Sequence, residues 1–284
     1  MMIYEEKILK VMLMSLDNKR VLDEHYRDRL LESMMSHIGS ADPVLRDHLI
    51  SSNFAKLIGD RIIPQREMAS LLDRCLNQDH LFFKIGEINT DSVFTRSFSS
   101  LVVALILNVD RKTSFIDNNK IQEITEKIIT YLHEEKDTRG YVEEKGWAHS
   151  IAHGADMLAA LVKHHHFHME SLPKVLKAIQ VCLLKGTVFK EEEDERLIFV
   201  VEALLGRGME QHALKSWLNN LTLTMEREMT EHGQTLLNYQ NKITMTNFMK
   251  SLYFRLTLLQ ADTHLLECLE NTIHYWFKKS YDQE

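Results

Sequence analysis

Residues 146 to 156 read Gly-Trp-Ala-His-Ser-Ile-Ala-His-Gly-Ala-Asp and hold the densest set of chemically capable side chains in the sequence. His149, His153 and Asp156 are spaced i, i+4 and i+7, so on one helix they lie within roughly 60° of one another. Such a trio can hold a metal ion, transfer a proton, or hydrogen-bond a ligand or a neighbouring helix. The spacing predicts a site without choosing its chemistry.

A metal site would use only part of this trio. Seven residues of straight helix advance about 10.5 Å, too far for His149 and Asp156 to share one ion. His149 and His153 form a bidentate unit like that of HExxH zinc helices, although the glutamate of that motif is absent. A divalent metal such as zinc would need a further carboxylate, with Glu193 or Asp194 as candidates. Asp156 suits the acceptor that fixes the tautomer of His153.

The composition favours helices as the elements that carry these residues. Three prolines and ten glycines in 284 residues leave little room for the turns of a β-rich fold. Leu, Glu, Lys and Met are abundant, and all four are good helix formers. Helical patterns follow one another with short polar breaks and no linker. We therefore expect an all-α fold and a single all-helical domain over residues 1–284.

Charge and hydropathy exclude several classes of function. The net charge of −7 is spread along the chain without a cluster of Lys and Arg among aromatics, so nucleic-acid binding is not expected. The longest strongly apolar stretch, residues 101–107, falls short of the ~20 residues that cross a bilayer. Three widely spaced cysteines fit neither a disulfide framework nor a metal knuckle. With no signal peptide pattern, these features predict a soluble cytoplasmic protein.

Three segments share a polar helix start followed by an apolar-x-x-Ala-Leu tail. Their matching alanines are Ala104, Ala160 and Ala203, which are 56 and 43 residues apart. Such intervals suit HEAT or armadillo-like helical hairpins with insertions. The pattern predicts repeats that form a curved, right-handed α-solenoid, and the alternative is an irregular helical bundle.

The repeat register also predicts which residues converge. It aligns His153 with Ser97 and with Arg196, and equivalent positions of stacked repeats lie side by side. Glu193 and Asp194 would then neighbour the histidine helix, and Arg96 would lie one step off that row. The predicted binding face comprises Arg96, Trp147, His149, His153, Asp156, Glu193, Asp194 and Arg196.

The histidine segment, drawn as one helix, has a second face. Trp147, Ile151, Leu158 and Val162 fall on an apolar stripe that faces a core. The histidines lie opposite this stripe, which argues against their being ordinary core residues. A ligand pocket, a solvated polar face and a hydrogen-bond network between helices all remain open.

The sequence resembles an uncharacterised bacterial family, found mostly in Firmicutes and known only as a domain of unknown function. The similarity covers roughly residues 5 to 275. Its motifs are Asp137-x-Arg139-Gly140-Tyr141, the segment from Gly146 to Asp156, Arg96-Ser97-Phe98-Ser99 and Glu193-Asp194-Glu195-Arg196-Leu197. The resemblance implies a single all-helical domain in a bacterial cytoplasmic protein, and it implies no activity.

Two functions therefore remain as hypotheses. In the first, the concave face of a helical array binds a polar small molecule or peptide. In the second, the protein is a hydrolase in which His149 and His153 bind a metal, or one of them acts as general base oriented by Asp156. Binding is favoured, because the sequence offers no clear nucleophile, complete metal triad or cofactor loop. Whether the protein is an enzyme stays open at this point.

Overall fold

A computed structural model describes residues 3–281 of the chain. The fold is all-α, as the composition predicts, and within the described residues the only β structure is one short hairpin. The chain divides into two compact units, the first ending at Phe167 and the second beginning at His168. The single-domain organisation and the curved repeat array stay predictions.

The first unit carries the hairpin and the histidine helix. Its helices are α1 (Glu6–Met14), α2 (Asn18–Val21), α3 (Glu24–Ser36), α4 (Ser51–Gly59), α5 (Gln65–Cys75), α6 (Ser92–Thr113), α7 (Asn118–Glu134) and α8 (Ser150–Val162). A π-helical segment, Val44–Ile50, leads directly into α4. The hairpin strands are β1 (Tyr141–Val142) and β2 (Gly146–Trp147).

The second unit is a set of longer helices. After a 3-10 turn (Met169–Ser171) come α9 (Leu172–Leu183), α10 (Glu193–Gly206), α11 (Gln211–His232), α12 (Leu236–Leu258) and α13 (Thr263–Tyr281). Arg255 on α12 forms a two-point ion pair with Glu202 on α10, with N–O distances of 2.7 and 2.9 Å. The indole of Trp217 on α11 donates to the Leu176 carbonyl on α9 at 3.0 Å. Polar contacts thus join neighbouring helices within this unit.

Helices α6 and α8 form the most extensive helix contact of the first unit. By length and composition alone α6 could cross a membrane, yet 72% of its apolar window is buried within the protein, as in the core helix of a soluble fold. Helix α8 is rich in small residues that allow close packing. A Cβ added at Gly154 would lie 2.7 Å from Leu132 and 3.1 Å from Tyr131 on α7. Helix α7 therefore packs directly against the glycine of the histidine motif.

A fully buried ion pair joins α6 to the end of α7. The Arg96 guanidinium donates to both carboxylate oxygens of Glu135, at 2.6 and 2.8 Å. It also donates to the Phe83 carbonyl at 3.0 Å and to the Ser92 hydroxyl at 2.8 Å. Neither charged side chain is exposed to solvent. Arg96 was expected on the binding face, whereas the structure encloses its charge in the helix core.

Replacement of Glu135 by glutamine tests the role of this pair. Because the Arg96 charge would stay buried without its counterion, we expect Glu135→Gln to lower the free energy of unfolding by about 3–5 kcal/mol. The double variant Arg96→Met/Glu135→Met removes both charges and should recover much of that loss. Urea denaturation measures both. A loss below about 1 kcal/mol in the single variant would contradict a structural role for the pair.

Candidate functional site

The histidine segment is not one continuous helix. Helix α8 begins at Ser150, Trp147 belongs to strand β2, and His149 takes a left-handed conformation with φ of 47°. The cause lies in two carbonyl groups. The Ala148 carbonyl accepts from the Ser97 hydroxyl, and the Trp147 carbonyl lies 3.4 Å from the Arg46 guanidinium. Since these carbonyls bond to other elements instead of to amides four residues on, the helix starts later than the spacing predicts.

Arg46 and Asp47 hold the hairpin in place from the π-helical segment. The Arg46 guanidinium, fully buried, donates to the Lys145 carbonyl and lies 2.8 Å from an Asp47 oxygen. The other Asp47 oxygen accepts from the Trp147 amide at 3.1 Å. Gly146 has φ of +78°, and a Cβ there would collide with the Asp47 carboxylate. Only glycine therefore fits between the hairpin and this ion pair.

Burial acts on both members of this pair. It lowers the pKa of Arg46 and raises the pKa of Asp47, although each charge partly offsets the effect on the other. The Arg46 guanidinium also lies over the Phe94 ring of α6, 3.9 Å from its centroid. A cation–π contact thus supplements the ion pair in a water-poor setting.

The loop before the hairpin is fixed by a second buried carboxylate. Asp137 is 2% exposed, and its oxygens accept from the Arg139 guanidinium at 2.6 and 2.8 Å and from the Asn89 amide at 2.9 Å. Its carbonyl accepts from the Ser150 hydroxyl at the start of α8. The loop, the hairpin and the histidine helix are therefore joined by buried polar contacts.

Four rings follow one another across the hairpin and onto α8, and we call them the aromatic row: Tyr141, Trp147, His149 and His153. Successive ring centroids are 5.0, 4.3 and 5.6 Å apart. Tyr141 is 55% exposed and Trp147 is 40% exposed. Placement of Trp147 on a buried stripe was therefore wrong. Cross-strand pairing of Tyr141 with Trp147 puts both rings on one face, while Val142 packs against the core.

Ser97 fixes the tautomer of His153. The Ser97 side chain is fully buried, and its oxygen lies 2.8 Å from Nδ1 of His153. Its only proton goes to the Ala148 carbonyl, so Nδ1 of His153 is the donor in the second contact. A neutral His153 then carries its lone pair on Nε2. Alignment of the repeats places Ser97 beside His153, as observed. The acceptor role of Asp156, which is half-buried one turn along α8, stays a prediction.

The metal hypothesis rested on helical i, i+4 geometry, which the left-handed His149 does not have. The two imidazoles instead meet edge to face, with an interplanar angle of 89°. Between residues 3 and 281 no group of three His, Cys, Asp or Glu side chains is arranged to hold a metal ion. The geometry gives no support to a zinc site.

Glu193, Asp194 and Arg196 belong to the first turn of α10, in the second unit. Glu193 is buried, and burial raises the pKa of both Glu193 and Asp194. The Arg196 guanidinium lies 5.9 Å from the Phe199 ring centroid. Convergence of these three residues on the histidines stays a prediction.

Comparison with known families identifies the chain. A model of the family described as protein of unknown function (DUF2785) matches residues 81–254, more than half of the 284 residues. The chain belongs to this family. The resemblance to a domain of unknown function is thereby confirmed. No curated protein and no solved structure matches the chain.

The DUF2785 match covers every residue of the predicted binding face, the hairpin and Ser97. Arg46 and Asp47, which hold the hairpin, precede it. This pair cannot be recognised from the sequence, because about a hundred residues separate it from the hairpin and no local pattern marks it. Because the family description states no activity, function must be argued from geometry.

The Ser97 contact can be tested by Ser97→Ala. We expect a loss of about 1–3 kcal/mol in unfolding free energy, because the buried Ala148 carbonyl and the half-buried His153 imidazole lose their partner. Neutral His153 should also shift from the Nδ1-protonated tautomer to a mixture, which long-range ¹⁵N–¹H correlation of the ring detects. Ser100→Ala, which removes only a bond to the Ser97 carbonyl of the same helix, is the matched control. Equal spectra for His153 in all three proteins would contradict the assignment.

The buried carboxyl group of Glu193 should make the stability of this DUF2785 protein depend on pH. Its pKa in the folded state is raised above the ordinary 4.5. Its contribution to the free energy of unfolding is therefore fully present below pH 4.5 and is lost as the pH rises through the folded-state pKa. We expect Glu193→Gln to raise the Tm by a few degrees near pH 7.5 and to leave it unchanged near pH 4. Differential scanning calorimetry measures this. The exposed neighbour Glu192, changed to glutamine, should give no comparable gain, and an equal gain would refute burial as the cause.

Proposed function

We propose that the protein binds a polar small molecule or peptide on the aromatic row of the first unit. The observation that carries the proposal is the exposure of Tyr141 and Trp147 on a hairpin held by buried charges. Large exposed aromatic side chains are typical of binding sites, since they supply contact area at low entropic cost. The concave face of a repeat array, the bacterial origin and the cytoplasmic location belong to this proposal as predictions.

Contacts with Arg46 and Asp47 keep the hairpin ordered, and this order favours binding energetically. Residues that are already ordered lose little conformational freedom when a ligand arrives, so more of the contact energy appears as affinity. Trp147 offers a ring for stacking, and it is itself stacked on His149 at a tilt of 32°. A ligand with a planar group complements this ring.

The hydrolase alternative, with His149 and His153 as the reacting groups and Asp156 as the orienting residue, lacks a comparable observation. A serine beside a histidine invites comparison with a nucleophile and its base. The Ser97 hydroxyl, however, is fully buried and donates to the Ala148 carbonyl. It therefore serves to position the imidazole. We favour binding over hydrolysis for this reason.

The variant Trp147→Ala tests the proposed function. A panel of polar metabolites and tripeptides is screened against the whole chain by saturation-transfer NMR, and the affinity of each hit is measured by calorimetry. We expect Trp147→Ala to weaken hits at least about tenfold, or about 1.4 kcal/mol, because the stacking surface is lost. The exposed Tyr239 of the second unit provides the control Tyr239→Ala. Hits that bind the Trp147 variant as tightly as the wild type, or no hits at all, would contradict the proposal.

A further inference from the structure

We propose that the occupant of the aromatic row is an arginine or lysine side chain within a basic peptide segment of a partner. This inference rests on the binding function proposed above and names the chemistry of its ligand. It follows from the balance of charges around the hairpin and from the character of the exposed rings.

Three cations of the hairpin region are paired with carboxylates. Both oxygens of Asp91 accept from the Lys145 ammonium at 2.8 Å. Arg46 pairs with Asp47, and a third pair, formed by Arg139 with Asp137, lies in the preceding loop. These three positive charges thus each have a carboxylate partner.

The turn of the hairpin carries two further carboxylates. Glu143 and Glu144 lie between the strands and are exposed, and across residues 3–281 neither takes part in an ion pair. Two residues of extended chain span at most about 7 Å, so Glu143 lies close to Tyr141. That separation is within the screening length of about 8 Å at physiological ionic strength. The exposed rings therefore lie in a region with an excess of negative charge.

The rings add to this preference. The face of an indole or phenol ring carries negative electrostatic potential, so it attracts cations and repels anions. A guanidinium can stack on Trp147 while it donates two hydrogen bonds to a glutamate carboxylate. An anionic ligand would meet both glutamates and the ring faces. Charge complementarity thus selects a cationic group.

The open shape of the surface selects a peptide over a free amine. Small cationic ligands are held in cavities that bury most of their surface. Tyr141 and Trp147 instead stand 55% and 40% exposed, so a single cation would be contacted from one side. A chain that continues past the hairpin adds contacts that a free amine cannot make.

A pair of peptides that differ only in charge tests this inference. The probe is acetyl-Ala-Arg-Arg-Ala-amide, and its analogue carries neutral citrulline in place of each arginine. Calorimetry measures the affinity of each for the whole chain, and the NMR signal of the Trp147 indole reports the site. We expect the arginine peptide to bind at least about tenfold more tightly, with an affinity that falls as NaCl rises from about 50 to about 500 mM.

Removal of the two free carboxylates provides the matched variant. Glu143→Gln/Glu144→Gln should weaken the arginine peptide about fivefold or more, because its counter-charges are lost. Glu5→Gln/Glu134→Gln removes the same charge from exposed sites elsewhere in the first unit and should leave the affinity unchanged. All four residues are exposed, so folding should be preserved.

The outcomes separate this inference from the binding function itself. Equal binding of both peptides, lost in Trp147→Ala, overturns the cationic ligand and leaves the binding surface intact. No binding of the arginine peptide, or equal weakening by the two double variants, also overturns it. In those cases the screen against Trp147→Ala still decides the broader proposal, because that screen does not depend on the charge of the ligand.

Discussion

The carbonyl groups of Trp147 and Ala148 bond to side chains of other elements, and the geometry of the site depends on this constraint. Because Arg46 and Ser97 take these two acceptors, helix α8 begins at Ser150 and His149 adopts a left-handed backbone. The same bonds leave Trp147 in a strand on the outer face of the hairpin. A helix that began three residues earlier would have placed the indole elsewhere.

Burial of charge is the cost of this arrangement. Arg46 and Asp47 are withdrawn from water, as are Arg96 and Glu135, and each pair is stable only because both partners are present with further hydrogen bonds. Natural proteins retain such pairs where they fix one conformation among several. Here they fix a loop and a two-stranded hairpin that could not be stable alone. The aromatic row thus draws its order from the helix core beneath it.

The sequence predicts the helical class of the fold better than the local geometry of the candidate site. Scarce proline and glycine are enough for the all-α class, and the aligned repeats bring Ser97 to His153 as observed. Periodicity alone could not show that helix α8 begins only after His149. The Arg46 side chain that contacts the Trp147 carbonyl is about a hundred residues away in the sequence. The strand pairing of Trp147 with Tyr141, which are close in sequence, was missed because the segment was drawn as one helix. Local patterns predict elements, whereas distant side chains decided where this element starts.

Amide hydrogen exchange at the hairpin tests the central claim most directly, namely that buried polar contacts hold the aromatic row rigid. The Ala148 and His149 amides donate to the Gly140 and Arg139 carbonyls at 2.7 and 3.0 Å, and the Trp147 amide donates to Asp47. These three amides should exchange as slowly as those in the middle of α8, through opening of the whole unit. Exchange at the rate of an exposed loop would contradict it.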